Sequence, residues 1–244
     1  MSNASIVDPR IAAGMKAQLA IRATKIAAGG RRLGWKAGFG APAALQNFGL
    51  TGPLVGFMLM EARVASGDVV SIAGWTKAVV EPEIAVHLGA DLVDGRNRDA
   101  VVAAIAGIGP AIELADLSPP PEDVAKILAG NIFHRRVIVG RVETARAGAR
   151  MGACRGLDGL VATVTRNGVR GTDVTGDALE ANTGRILDVV AHMASTLAEA
   201  GEKLQRGDVI ICGSVVPPIF VEPDDTAIAF ALGGIGEVSV QLTR

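Results

Sequence analysis

From Leu54 to the C-terminus the sequence consists largely of short apolar runs broken by glycine, proline, Gly-Asp and Asn-Gly, and these runs do not alternate strictly with helical segments. That ordering is the tightest constraint on the fold. A doubly wound parallel sheet needs a crossover helix between successive strands. This chain has too few helical segments for that and predicts an α+β architecture on a strongly bent mixed sheet. Asp8-Pro9 opens a helix in the favoured way, cap then first-turn proline, and Gly29-Gly30 ends it after Ala28. Residues 1–30 therefore form a predicted helical arm, and residues 31–244 a single unit.

Within that unit, RRLGWKAGFG (31–40) reads as a glycine-flanked strand and APAALQNF (41–48) as a brief helix. Residues 97–107 read as a helix because Val101, Val102 and Ile105 share a face; GPAIELADL (109–117) reads as a short strand. PPPEDVAKILAG (119–130) predicts another short helix, and Asn167-Gly168 a tight hairpin between two strands. The longest later helix runs over about 185–200, with Ile186, Val189, Val190, Met193 and Leu197 on one side.

Composition excludes several classes of function. Hydrophobic residues make up 49% and charged residues 20%, enough apolar material for a sizeable core. Aromatics are only 3%, too few for a base-stacking nucleic-acid surface. The formal net charge is −1 with no Lys/Arg block, so nothing attracts nucleic acid or an anionic membrane. No apolar run approaches the roughly 20 residues of a membrane helix. The opening MSNASIVDPR lacks a secretory pattern, and Cys154 and Cys212 have no ligand spacing. Two buried thiols and a cytoplasmic location are the expectation. GGIGEV lies between strands without a phosphate-cradle spacing, and His192, beside the apolar stripe of the long helix, is expected to be structural.

The chemistry-bearing pattern lies between Val79 and Leu88. Val80, Ile84, Val86 and Leu88 fall on one face of a strand, and Val79, Glu81, Glu83, Ala85 and His87 on the other. Glu81 and Glu83 therefore leave the same face, and two carboxylates that close repel unless a cation lies between them. Glu113 lies in a second apolar strand between the small residues Ala111 and Ala115. Three carboxylates suit a hard cation such as Mg²⁺ or Mn²⁺ with positions left for ligand. An antiparallel strand with one wet face would show the same alternation, so periodicity leaves both readings open. The same holds for Lys36 within GWKAGFG.

Resemblance separates them. GWKAGFG, EPEIAVHLGADL, AIELAD and LQRGDVIICGS, in that order, resemble the 2-keto-4-pentenoate hydratase and 4-oxalocrotonate decarboxylase family, part of the fumarylacetoacetate hydrolase superfamily, across roughly residues 30–243. The resemblance implies a mixed β-roll with peripheral helices, metal-binding Glu81, Glu83 and Glu113, and catalytic Lys36 and Glu81. It also implies a substrate site drawing on Lys36, Asn131 and Ser214, to which His134, where this sequence departs from its relatives, is added as a substrate-binding candidate. The implied substrate is a 2-oxo acid, chelated to Mg²⁺ or Mn²⁺ so that an enolate is stabilised. The implied reaction is hydration of a 2-hydroxy-2,4-dienoate. Decarboxylation of an oxalocrotonate-like diacid, hydrolysis of an acylpyruvate, and a non-catalytic partner subunit stay open. Relatives assemble from dimers, so a homo-oligomer is implied.

The sequence departs from the family after Glu113. Asp116 stays but LSPPP replaces the usual arginine-bearing run, and AGNIFHRR keeps Asn131 while placing His134, Arg135 and Arg136 where relatives carry small polar residues. Lys36 is expected to move protons or hold substrate charge, with a pKa lowered by burial and metal charge.

Overall fold

The computed structural model describes residues 8–118, 122–144 and 157–244. Its larger sheet has eight strands. Seven of them follow the order β2 (Leu54–Leu59), β1 (Arg32–Gly38), β11 (Val209–Ser214), β5 (Ala78–Leu88), β6 (Ile105–Asp116), β7 (His134–Val139) and β3 (Arg63–Val64), and β12 (Ile219–Phe220) pairs with β5 beyond β11. The two outermost strands, β2 and β3, are joined by only Met60–Ala62. Three residues span about 10 Å, whereas a flat seven-strand sheet is roughly 29 Å across. The sheet must therefore curl until its edges nearly meet.

This roll has an inside and an outside. Leu33, Met58, Ala85, Ala111, Val137, Val139, Val209 and Ile211 form a separate apolar cluster. They come from strands all around the sheet, and they fill its interior. Outside, Val80, Ile84, Val86 and Leu88 join the main core. There they meet the second sheet, of order β10 (Val174–Thr175), β8 (Val161–Arg166), β13 (Ala227–Leu232), β14 (Gly236–Thr243) and β4 (Val69–Ser71), with β9 (Val169–Arg170) on β8. The β8–β9 hairpin turns through Asn167 and Gly168, at φ 51° and 79°, as Asn-Gly predicts.

The helices lie on the periphery. α1 (Pro9–Ala27) is capped by the Asp8 carboxylate, which accepts from the Arg10 N–H. It docks through a polar residue: buried Gln18 donates to the carbonyls of Val55 and Leu128. The remaining helices are α2 (Pro42–Phe48), α3 (Arg98–Ala104), α4 (Val124–Ala129) and α5 (Ile186–Glu199). On α5 the predicted stripe of Ile186, Val189, Val190, Met193 and Leu197 is buried. Full burial of such side chains stabilises by roughly 1.5–3 kcal/mol each.

One boundary differs from the sequence expectation. The helix predicted to residue 107 ends at Ala104, and Ile105 begins a 12-residue strand rather than the short one read from residue 109. Ile105 pairs with Leu88 and Gly107 with His87, so the β5–β6 ladder overrides the local helical spacing. Cys212 is buried as expected. Cys154, residues 1–7 of the arm and the prolines at 119–121 lie outside the described residues. No described helix is long and apolar enough to cross a membrane.

Candidate active site

The two central strands deliver the acidic groups. In the antiparallel register of β5 and β6, Glu81 stands directly opposite Glu113, a like-charge pairing that ordinarily costs stability. Glu83 stands opposite Ala111 on one side and Ser214 on the other. Small neighbours thus keep space beside it. One oxygen from each of Glu81, Glu83 and Glu113 lies within 4.8 Å of the others.

Lys36 arrives from β1, three strands from β6 in the sheet order. On a flat sheet that separation is about 14 Å. The curl closes it: Lys36 Nζ lies 2.6 Å from Glu113 Oε1 and donates a longer bond to the Ile132 carbonyl at 3.3 Å. Lys36, Glu83 and Glu113 are all buried, while Glu81 is half-buried.

The electrostatics follow from this crowding. Burial raises the Glu81 carboxyl, to about 7, with the Glu113 charge adding to it. Burial raises Glu83 well above the usual carboxylate range, with Glu113 and Glu81 reinforcing it; the Gly213 N–H donated to its Oε2 works the other way. Glu113 moves downward. Burial, its largest single influence, raises it, but Lys36 and the bond from His134 outweigh that. For Lys36, burial alone would lower the pKa as expected, but among the protein's own groups Glu113 and Glu81 outweigh the burial and hold it above an ordinary lysine.

These residues fit a divalent cation. Two buried acceptors, Glu83 Oε1 and Glu113 Oε2, have no hydrogen-bond partner. Leaving such groups unpaired costs several kcal/mol. A divalent ion would offset the burial and mutual repulsion that raise Glu81 and Glu83, and with all three carboxylates then ionised, their charge and the Lys36 ammonium would sum to a value that the ion cancels. All the donors are hard oxygens, which suits Mg²⁺ or Mn²⁺.

The cluster opens onto a cavity of about 330 Å³ whose lining includes Lys36, Glu81, Ser214, Asn182, Thr183 and Cys212. The wall away from the carboxylates is apolar. Phe39, Phe48, Phe133 and Phe220 line it, four of the six phenylalanines in the chain. Phe39 meets Phe48 edge-on with centroids 5.4 Å apart. Lys36 is the only basic side chain among the described lining residues.

The turn that enters β7 carries unusual backbone. Asn131, Ile132 and Phe133 have φ of 54°, 51° and 63°, three consecutive left-handed residues without a glycine. Such conformations cost roughly 1–3 kcal/mol each. Close glycines make room for the turn: a Cβ at Gly56 would lie 2.9 Å from Lys36 Cγ and 3.1 Å from Asn131 Oδ1.

Of the predicted site residues, Lys36, Glu81, Glu83, Glu113 and Ser214 come together. Ser214 donates through Oγ to the Pro82 carbonyl at 3.3 Å. Asn131 is elsewhere: its Oδ1 accepts from the Phe57 N–H and its Nδ2 donates to the Phe57 carbonyl, so the amide clasps the free edge of β2. His134 does not line the cavity but stands behind Glu113. Arg135 pairs with Asp116 at 3.3 Å, so an arginine reaches that aspartate from β7. Sequence reasoning missed Asn182, whose Nδ2 donates to the carbonyls of Ser214 and Val216, and the phenylalanine wall. Scarcity was the available signal for that wall: in a chain 3% aromatic, two phenylalanines flank one brief predicted helix.

The rolled sheet thus brings a carboxylate triad to a buried lysine, an arrangement that can hold a divalent cation beside a cavity of small-molecule size. Comparison with known proteins agrees and is more specific. Residues 44–243 match the fumarylacetoacetate (FAA) hydrolase C-terminal family, and the chain belongs to that family. It is 30% identical over 229 residues to a 4-oxalocrotonate decarboxylase of Pseudomonas putida, covering 92% of this chain and 82% of that protein. It is 26% identical over 223 residues to a 2-hydroxyhexa-2,4-dienoate hydratase of Comamonas testosteroni, covering 89% and 81%. A solved 4-oxalocrotonate decarboxylase from Pseudomonas putida G7, complexed with magnesium and adipate, superposes with a TM-score of 0.80 at 29% identity, covering 93% of this chain and 83% of that one. A fumarylpyruvate hydrolase from Pseudomonas aeruginosa, in complex with Mn²⁺ and pyruvate, shares the fold at 14% identity and a TM-score of 0.62, covering 87% of this chain and 89% of that one.

Proposed function

We propose that this protein is a divalent-metal-dependent hydratase acting on a 2-hydroxy-2,4-dienoate or its 2-oxo-4-enoate tautomer, with Glu81, Glu83 and Glu113 as metal ligands. The metal, Mg²⁺ or Mn²⁺, supplies Lewis acidity toward the carboxylate and 2-oxo oxygens. Lys36, ion-paired with Glu113, acts as a charge anchor and proton donor. Ser214 and Asn182 shape the floor of the cavity. The phenylalanine side chains give the hydrocarbon chain of the substrate an apolar surface to pack against.

One observation favours hydration over decarboxylation of a diacid. The wall remote from the carboxylates is phenylalanine-rich, and among its described residues nothing is basic. Lys77 Nζ lies over the Phe220 ring at 4.8 Å, but a second substrate carboxylate packed among the phenylalanine side chains would still be desolvated by apolar rings. Purified protein with Mg²⁺ or Mn²⁺ and 2-hydroxypenta-2,4-dienoate is expected to bleach the dienoate absorbance. No bleaching with this substrate or its longer alkyl homologues overturns the proposal.

The resemblance to two decarboxylase sequences keeps a second reading in play. Release of CO₂ from an oxalocrotonate-type diacid, faster than loss of the dienoate, would select it.

A further inference from the structure

His134 is the residue the cavity chemistry does not use. Its side chain is 4% exposed, and its Nδ1 lies 2.6 Å from Glu113 Oε1. Facing an ionised carboxylate, which only accepts, that nitrogen carries the hydrogen and donates. The same oxygen takes the ammonium of Lys36 at 2.6 Å. Both donors therefore converge on Oε1, and Oε2 is left without a partner. The strained turn ahead of β7 fixes this arrangement. Its three left-handed residues lead directly into His134, Ile132 accepts from Lys36, and Asn131 clasps the backbone of Phe57. Strain of this kind persists only where surrounding contacts over-determine it, and here those contacts converge on one carboxylate.

We infer that His134 is a positioning residue that, with Lys36, occupies Glu113 Oε1 so that Oε2 alone is presented to the divalent cation. The inference rests on the metal-centre reading above. The last torsion of a glutamate is broad and roughly two-fold. Without the imidazole donor, Glu113 is held by Lys36 alone and can offer either oxygen. Partners of this kind behind metal ligands typically change affinity 10–100-fold when removed.

Mn²⁺ binding without substrate, followed by electron paramagnetic resonance or calorimetry, tests this in wild type, His134→Leu and His134→Asn, with thermal unfolding in chelator as the measure of fold. Leucine fills the space without a donor; asparagine places an amide N–H near the position of Nδ1. The expected result is about 10–100-fold weaker Mn²⁺ binding in His134→Leu, with His134→Asn close to wild type. A role in packing alone predicts the reverse order. Wild-type affinity in a folded His134→Leu overturns the inference and leaves the metal centre intact. So does a folded His134→Asn that binds as weakly as the leucine variant. If His134→Leu fails to fold, His134→Asn decides alone: affinity near wild type supports the inference and lost affinity overturns it. Absence of Mn²⁺ binding in the wild type removes the metal centre itself, and the inference with it.

Discussion

Glu81 and His87 point into the same roll but respond to pH in opposite directions. His87 is pushed down to about 4, first by burial and then by the charge of Arg63, and its Nε2 has no partner. Its unfolded value is near 6.5, so as pH falls from 6.5 toward 4 the unfolded chain takes up a proton that the folded one refuses. Stability is lost in that window, by roughly 2–3 kcal/mol. Glu81 has the opposite sign. Its raised carboxyl keeps a proton that the unfolded chain has released, so it costs stability as pH rises from about 4.5 to 7. The two terms oppose each other in wild type, and the His87 term emerges only by difference. Urea unfolding of wild type and His87→Leu at pH 7 and pH 4 is expected to show the variant gaining about 2–3 kcal/mol relative to wild type at the lower pH; parallel pH curves would refute this. Glu81→Gln removes one oxygen donor in a nearly isosteric way. It is expected to abolish dienoate turnover while leaving the far-ultraviolet spectrum like that of wild type. Retained turnover would take Glu81 out of the chemistry.

Among the elements, β5 was the most legible. Alternation along Val79–Leu88 assigns the correct residues to inside and outside, and the glutamates share the interior as the spacing requires. Capping chemistry found α1 at Asp8, and Asn-Gly found the β8–β9 turn. The start of β6 was not legible. Val101, Val102 and Ile105 satisfy a helical period locally, and only pairing with β5 turns Ile105 outward as strand. The 131–133 turn was also hidden, since left-handed isoleucine and phenylalanine contradict local preference. Resemblance made Asn131 a substrate-binding candidate, whereas in the structure its amide takes the place of a missing strand beside Phe57. Asn131→Ala loses both bonds and keeps the left-handed backbone, so it is expected to destabilise the protein by about 2–3 kcal/mol in urea titrations. A loss below about 0.5 kcal/mol, the range of an ordinary surface change, would contradict the clasp.

At the scale of the molecule, the strongly bent mixed sheet was legible, but the strand pairing that closes it was not, because closure depends on two strands distant in sheet order being near neighbours in sequence. Closure brings Lys36 to Glu113 across three strand spacings and traps the acidic cluster inside. A cation that binds the folded chain and not the unfolded one stabilises it by about 2.7 kcal/mol at a hundredfold excess over Kd. For a chain of this length that is a rise of about 5–10 °C in Tm. Calorimetry with Mn²⁺ and then with chelator is expected to show that rise and its reversal. An unchanged Tm at saturating Mn²⁺ would count against the metal centre.

The helix α2, lying between Phe39 and Gly49 with no buried residue of its own, carries Phe48 on one wall of the cavity. The acidic cluster, by contrast, is embedded in paired strands. Recognition and reactivity are thus carried by parts of unequal rigidity. Selection could rewrite the 39–48 segment to admit a different hydrocarbon tail while the reactive end kept its geometry, so diversification of this scaffold has a ready-made place to begin.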